Sequence, residues 1–370
     1  MPCLTPRAMS SSPRIVRSGA TRTTIVVAIA IAWSSGCARK PPSSDANGIT
    51  SARLEPDPEE APPSSASEHG HTAQEPAVGS PPPRTTLGPG LPDSGPWMTF
   101  YGKASEMGDL ARVARTYRII VIDADPGMRN FTDAQIALLR GGGRNRVISY
   151  MNLGSCETFR TYWASAPPGL TSCAANSDAQ RGPYAGYPDE TWMDVGDAKY
   201  QALVLEHIAP RLAARVDGFY LDNLEIVEHP ASSANGPCTA TCKQGGLDLV
   251  RKLREKYPRH LIVMQNATSS TTRLGVTGGV PFPLLLDGVA HEEVYAPTHD
   301  ESAEDELVAW GAMGLASRDH HRFWIGVEDY VGSCRNAGAA HASATRARSR
   351  GFSPWASDES SGQRVVCFWD

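Results

Sequence analysis

The sequence predicts an α/β fold, a (β/α)8 TIM barrel over residues 96–370, behind an export signal and an unfolded tether. Three observations predict it. From residue 97 onward short apolar runs alternate with segments of helical period, as repeated βα units require. The 275 residues of this part match the usual size of such a barrel. Polar side chains, mostly carboxylates, collect where the apolar runs end, and in a parallel barrel that end carries the chemistry.

Residues 1–36 hold four Arg and no Asp or Glu, followed by the apolar run TTIVVAIAIAW and then SSGC. A basic start, an apolar stretch well short of the ~20 residues that span a bilayer, and small residues before a cysteine read as a lipoprotein signal peptide with Cys37 lipidated. Ser34, where such signals usually carry Leu, leaves an ordinary cleaved secretory signal open. Residues 37–95 form the tether: 38–95 contain twelve Pro and no Phe, Trp or Tyr, too little apolar surface to offset the entropy of ordering. Its His69 and His71 are expected to be solvated rather than metal-bound. The whole chain carries a formal charge of −5, and the acidic balance excludes a basic nucleic-acid footprint.

In the barrel, the first run is 97–102. Met107, Leu110, Val113 and Tyr117 then share one helical face. The second run begins at Arg118 and ends in Asp123 and Asp125. A helix N-capped by Thr132 follows and stops at Gly141, Gly142 and Gly143, a C-cap and turn rather than a phosphate loop. The third run is 146–154, and the long stretch to 215 is read as an insertion containing WMDV at 192–195, closed by a helix facing inward through Tyr200, Leu203, Val204, His207 and Ile208. VDGFYLDN from Val216 is the fourth strand. A helix with Leu247, Val250, Leu253 and Tyr257 inward follows, ended by Pro258. The fifth, sixth and seventh strands fall at 260–266, 284–295 and 321–331, and RVVCFWD at 364–370 is expected to close the barrel beside the first.

Asp123, Asp125, Asn152, Asp222, Asn266, Glu292, Glu293, Glu328 and Asp329 all follow apolar strand cores. Asp217 to Asp222 and Asp287 to Glu292 repeat one spacing, Asp-Gly-x-x-x-carboxylate. Side chains alternate faces with period two, so Asp222 and Glu292 are expected on the same face of two strands, and Glu293 on the other. Two such carboxylates suit hydrolysis of a glycosidic bond, one as proton donor and one as nucleophile or activator of water. Trp163, Tyr184, Tyr187, Trp192, Tyr220 and Tyr295 are aromatic candidates for a sugar-stacking rim, with ordinary packing favoured for Tyr220. Six cysteines in an exported chain point to disulfides; fifteen pairings are open, and chain order suggests 156 with 173, 238 with 242 and 334 with 367. A zinc site at CTATC is the alternative for 238 and 242.

IIVIDAD, SYMNLGSCETFRTYW, TWMDV, VDGFYLDNLE, the strand-end MQN, DGVAHEEVY and EDYV together resemble glycoside hydrolase family 114, the endo-α-1,4-polygalactosaminidase-like barrels. The resemblance implies a retaining endo-hydrolase of α-1,4-linked galactosamine polymers, with catalytic carboxylates matching Asp222 and Glu292; which is nucleophile and which acid/base is left open, with Asp222 favoured as nucleophile and Glu293 held as the alternative to Glu292. It also implies substrate contacts near Asp123, Tyr150 and Asp329. Asn152, Asn266 and Tyr330 at the strand ends join them as substrate-binding candidates, with Asp123 or Asp329 expected to hold a cationic amino sugar. GSCETFR, where family members often have a Gly-Glu-Ala-Glu-like run, and the second acid Glu293 depart from the pattern. No cofactor is expected, and the partners are a polysaccharide and, through Cys37, a membrane, the protein acting as a monomer. Other readings remain: an exo-acting α-glycosidase on the same barrel, a surface lipoprotein that binds polysaccharide without cutting it, or a structural barrel.

Overall fold

A computed structural model describes residues 89–92, 95–315, 323–358 and 363–369. The export signal, Cys37 and almost all of the tether lie outside the described residues.

Eight parallel strands lie side by side in chain order: β1 Trp97–Phe100, β2 Ile119–Ile122, β3 Arg146–Asn152, β4 Gly218–Asp222, β5 Leu261–Gln265, β6 Gly288–Glu292, β7 Trp324–Tyr330 and β8 Ser353–Ser357. They form a nearly closed (β/α)8 barrel. Burial on both faces explains why most of them read as unbroken apolar runs rather than alternating ones. One layer of the core is the lumen, where Tyr220, Val263, Ala290, Trp324 and Trp355 belong to one apolar cluster. The alternate residues Phe219, Leu221, Met264, Val289 and Val327 belong to a second cluster, with the helices outside.

Local chemistry sets the helix starts. Asp109 caps α1 (Leu110–Thr116) by accepting from Ala111 N at 2.8 Å and Arg112 N at 3.1 Å. Thr132 caps α2 (Asp133–Leu139) in a reciprocal capping box with Gln135, as expected for that position. Helix α3 (Ala198–Leu203) runs through a π-turn at Val204–Ile208 into Ala209–Ala213, burying Tyr200, Leu203, Val204 and Ile208. Helix α4 begins earlier than its apolar pattern suggests, at Ala240 under a Thr239 cap, and extends to Lys256. Helices α5 (Glu301–Ala312) and α6 (Ala337–Ser349) are capped by Asp300 and Asn336.

The insertion after β3 contains a three-stranded antiparallel sheet, Ser155–Glu157, Gln180–Tyr184 and Tyr187–Met193, with the last strand central. WMDV therefore contributes to a strand, but outside the barrel, whose count stays at eight. The sheet starts directly beyond β3 because the chain crosses β4 at Gly154, where any Cβ would collide with the Asn223 carbonyl. The disulfides join 156 to 173, 238 to 242 and 334 to 367, so Cys238 and Cys242 are not zinc ligands.

The eighth strand is the principal correction. SPWAS at 353–357, not RVVCFWD, pairs with β7 from Gly326↔Ser353 to Tyr330↔Ser357. Its proline and small residues hide it from an apolar-run search. Proline is tolerated because β8 makes a ladder with β7 alone, and an edge strand has no second ladder to lose. The seam between β8 and β1 is bridged instead by the Trp97 indole donating to Ser353 O at 2.8 Å. Val366, Cys367, Phe368 and Trp369 pack onto the barrel, and residues 363–369 contain no strand. Among the described residues no helix is long and apolar enough to cross a membrane.

Candidate active site

Three neighbouring strands end in the same way. Asp222, Gln265 and Glu292 close β4, β5 and β6, and each is followed by a residue with positive φ: Asn223 at 60°, Asn266 at 61° and Glu293 at 55°. Left-handed backbone is uncommon outside glycine and clusters at functional sites. It turns the chain sharply away as soon as the strand has delivered its last side chain. Of the paired acids, Glu292 is the strand residue and Glu293 the turning one, its N–H bonded to Glu328 O at 2.7 Å.

Asp222 pairs in register with Asn152, and across β5 it stands level with Ala290, so Glu292 projects two residues further along its own strand. The even offset gives both side chains the same face. Their electrostatics agree: burial, then the charges of Glu225, Glu292 and Glu190, raise the Asp222 carboxyl well above the usual carboxylate range. Glu292 is held on every side. Asn266 Nδ2 donates to Oε2 at 2.7 Å while Asn266 Oδ1 accepts from Glu292 N at 3.0 Å, and Oε1 accepts from the Tyr330 hydroxyl and from Gln363 Nε2 at 3.1 Å. Asn266 and Tyr330 thus meet Glu292, as orienting groups.

Two acids were not foreseen. Glu190, from the central strand of the insertion, brings one oxygen, Oε2, to Asn152 Nδ2 at 3.0 Å, Asn223 Nδ2 at 2.9 Å and the Ser155 hydroxyl. Glu225 follows β4 in the short helix Leu224–Glu228 and accepts from the Tyr184 hydroxyl at 3.4 Å. Neither lies at a barrel-strand end, so only the tertiary path of the insertion and of the β4 turn could reveal them. Glu328 lies between Thr99, whose hydroxyl donates to it, and Glu292, whose charge adds to burial in raising its carboxyl.

Other expected ligands are engaged within the protein. Asp123 is 4 % exposed and gives both oxygens to Arg160 Nη1, at 3.0 and 2.9 Å, with Asn130 Nδ2 on one of them at 3.2 Å. Burial raises its carboxyl despite the guanidinium. Asp329 is on the alternate parity to Glu328: its Oδ1 accepts from Tyr295 N at 2.8 Å and Ala296 N at 3.1 Å, and its Oδ2 from Ser343 of α6. Both carboxylates are thus engaged within the protein, Asp123 by Arg160 and Asp329 by backbone N–H groups and Ser343. Asn152 likewise spends its amide on Ser155 and Glu190. Tyr150 remains beside the site, its ring 4.8 Å from Tyr101 and 5.7 Å from the Arg160 guanidinium carbon.

Of the aromatic candidates, Tyr184 stacks on the buried Trp192 at 4.1 Å and meets Tyr187 at 4.7 Å, next to Glu225. Tyr220 is fully buried in the lumen beside Trp97, and Tyr295 is buried against His299. Packing thus accounts for Trp192, Tyr220 and Tyr295, while Tyr184 and Tyr187 border the acidic cluster.

The model of glycoside-hydrolase family GH114 matches residues 94–268, which include β1 to β5, the insertion and Asp222. Among solved structures, the glycoside hydrolase domain of PelA from Pseudomonas aeruginosa is 16% identical, with a TM-score of 0.54 over 74% of this chain and 98% of that one. Aspergillus fumigatus Ega3, in complex with galactosamine, is 15% identical, with a TM-score of 0.50 over 76% of this chain and 96% of that one. At these identities the likeness is one of fold. No curated protein sequence matches the chain. A family match running through the strand that carries Asp222, on a barrel of the expected topology, makes residues 94–268 similar to glycoside-hydrolase family GH114, and the chain is a glycoside hydrolase.

Proposed function

We propose that this enzyme is an exported endo-hydrolase of α-1,4-linked galactosamine-type polysaccharide, with Asp222 as nucleophile and Glu292 as general acid/base. The observation that carries the reading is the pair itself, two acids on one face at the ends of β4 and β6 within a cluster that includes Glu190 and Glu225. In the first step an Asp222 oxygen bonds to the anomeric carbon as the glycosidic C–O bond breaks, and the Glu292 proton passes to the departing oxygen. In the second, Glu292 takes a proton from water, whose oxygen displaces Asp222 and regenerates both groups. Ega3 with bound galactosamine supports the sugar class.

A raised Asp222 carboxyl is at first sight wrong for a nucleophile, which must be ionised. The charges that raise it are those of neighbouring acids. A protonated amino group in their midst opposes them and favours the Asp222 carboxylate. The acidic cluster therefore links the cationic substrate to ionisation of the nucleophile, a link that a neutral polymer lacks. Three disulfides suit an oxidising compartment. We assign 1–36 to a signal peptide, Cys37 to lipidation, 37–95 to a tether holding the barrel at a membrane, and the active form to a monomer.

The test is digestion of partly deacetylated α-1,4-galactosaminogalactan by the protein and by Asp222→Asn and Glu292→Gln, with products resolved by mass. A ladder of oligosaccharides from the parent, at least ~10³-fold reduced in each variant, is expected. Release of monosaccharide alone indicates an exo-acting glycosidase. Binding without cleavage refutes the catalytic reading in favour of a polysaccharide-binding protein.

A further inference from the structure

Gln363 lies far from every strand end that carries the site, yet it touches the site's centre. Its side chain is 4 % exposed, and Nε2 reaches Glu292 Oε1 at 3.1 Å and the Tyr330 hydroxyl oxygen at 2.7 Å. An amide nitrogen has two hydrogens, one for each acceptor. Because the Tyr330 oxygen then accepts from Gln363, its own hydrogen is directed to Glu292, with which it bonds. A single glutamine therefore sets one Glu292 contact directly and another through Tyr330, while Asn266 holds the opposite oxygen.

The segment carrying it is fastened at several points. Gln363 O accepts from Tyr101 N at 2.9 Å, just beyond β1, and Gln363 itself adopts φ 32°. Cys367 is disulfide-bonded to Cys334, beyond β7, and its carbonyl accepts from the Tyr117 hydroxyl. The Arg112 guanidinium lies 3.8 Å over the Phe368 ring, and the Trp369 indole donates to Ala356 O of β8 at 2.8 Å. These contacts engage residues next to β1, in β8 and just after β7, around the one seam that no ladder closes.

We propose that Gln363 is a positioning residue for Glu292, and that residues 363–369 form a strap, held by the Cys334–Cys367 disulfide, that completes the active site across the open seam of the barrel. The proposal rests on Glu292 being the acid/base of the reaction above. Its physical basis is that a proton donor must meet the glycosidic oxygen in a narrow range of directions, and a carboxyl held from one side alone swings about its χ angles.

Gln363→Met keeps the volume and removes both donors. Its kcat on the polymer is expected to fall about 10- to 100-fold with KM within about twofold. On a galactosamine oligosaccharide with a 2,4-dinitrophenyl aglycone, which departs without a proton, the loss in the first-turnover rate of aglycone release, measured before Glu292 is needed as the base of the second step, should shrink to about threefold or less. The paired Cys334→Ser, Cys367→Ser variant, with the strap untethered, should show the same selective loss. Glu292→Gln, measured alongside, separates the two levels. Full activity of Glu292→Gln overturns the acid/base assignment and the positioning role with it. An inactive Glu292→Gln beside a Gln363→Met that matches the parent overturns the positioning role alone, as does an equal loss on both substrates.

Discussion

Replacing Arg160 by Met removes a cation that touches three buried acids. The guanidinium is 2.6 Å from Glu157 Oε2, 2.9 Å from Asp123 Oδ2 and 3.7 Å from Asp125 Oδ2, all with side chains no more than 8% exposed. Arg211 reaches Asp125 at 2.8 Å, so that acid keeps a partner while Asp123 and Glu157 lose theirs. Breaking a buried pair costs about 3–5 kcal/mol because one charge is left uncompensated. Two acids are stranded here, but they relieve part of the cost by taking up protons, so a loss of about 4–6 kcal/mol is expected near pH 7. In a domain of this size that corresponds to a fall in Tm of roughly 7–10 °C. The pH dependence has a definite sign. Burial already raises the carboxyls of Asp123 and Glu157, so their contribution is fully present below the unfolded carboxylate pKa and is lost as pH rises through the higher folded values. Without Arg160 those values rise further, so the variant should lose stability more steeply than the parent from about pH 4 upward. Urea unfolding followed by tryptophan fluorescence at several pH values measures this. A loss under about 1 kcal/mol at pH 7, or a variant that gains stability relative to the parent as pH rises, would refute the account of a cluster neutralised by one guanidinium.

Other expectations follow from the same geometry. Asp222→Asn should raise Tm at neutral pH by about 2–4 °C, since an acid whose folded pKa is raised opposes folding above its unfolded pKa; an unchanged or lower Tm contradicts its placement among like charges. On a galactosamine polymer the acid limb of kcat should lie at lower pH than that of kcat/KM, because the bound ammonium favours the Asp222 carboxylate; coincident limbs would remove the electrostatic link to a cationic sugar. Tyr330→Phe deletes one donor to Glu292 and should lower kcat about tenfold with KM little changed, whereas a KM effect alone would make Tyr330 a substrate ligand. Cys156→Ser with Cys173→Ser should cost about 3 kcal/mol by chemical denaturation, the entropy of a loop of sequence separation 17; no loss would show that the insertion is held by its sheet alone.

How much was legible in the sequence depended on whether the signal was local. Tyr220 and Asp222 fall on one face because strand geometry has period two, and the same rule places Glu292 inward and Glu293 at the turn. Thr132 was recognisable as a cap because its Gln135 partner is three residues away. The seven apolar strands announced themselves through burial on both faces. The eighth did not, since Ser353, Pro354 and Ser357 suit an edge with one ladder, whereas RVVCFWD mimics a strand by packing apolar side chains in a segment that forms none.

The sequence by itself therefore determined the barrel class, the two acids on a common face and the Thr132 helix start, all consequences of period, spacing and capping within a few residues, while chain order only suggested the disulfide pairs. Only the tertiary structure decided what surrounds each acid. Asp123 and Asp329 look like Asp222 along the chain, but one is neutralised by Arg160 from the insertion and the other clamped by Ser343 on α6. Glu190 and Gln363 look unremarkable, yet the insertion and the disulfide-held strap carry them to the site. A carboxylate's role is set by the charges and donors around it. Those arrive from 37 residues away for Asp123 and 71 for Glu292, separations that no local pattern encodes.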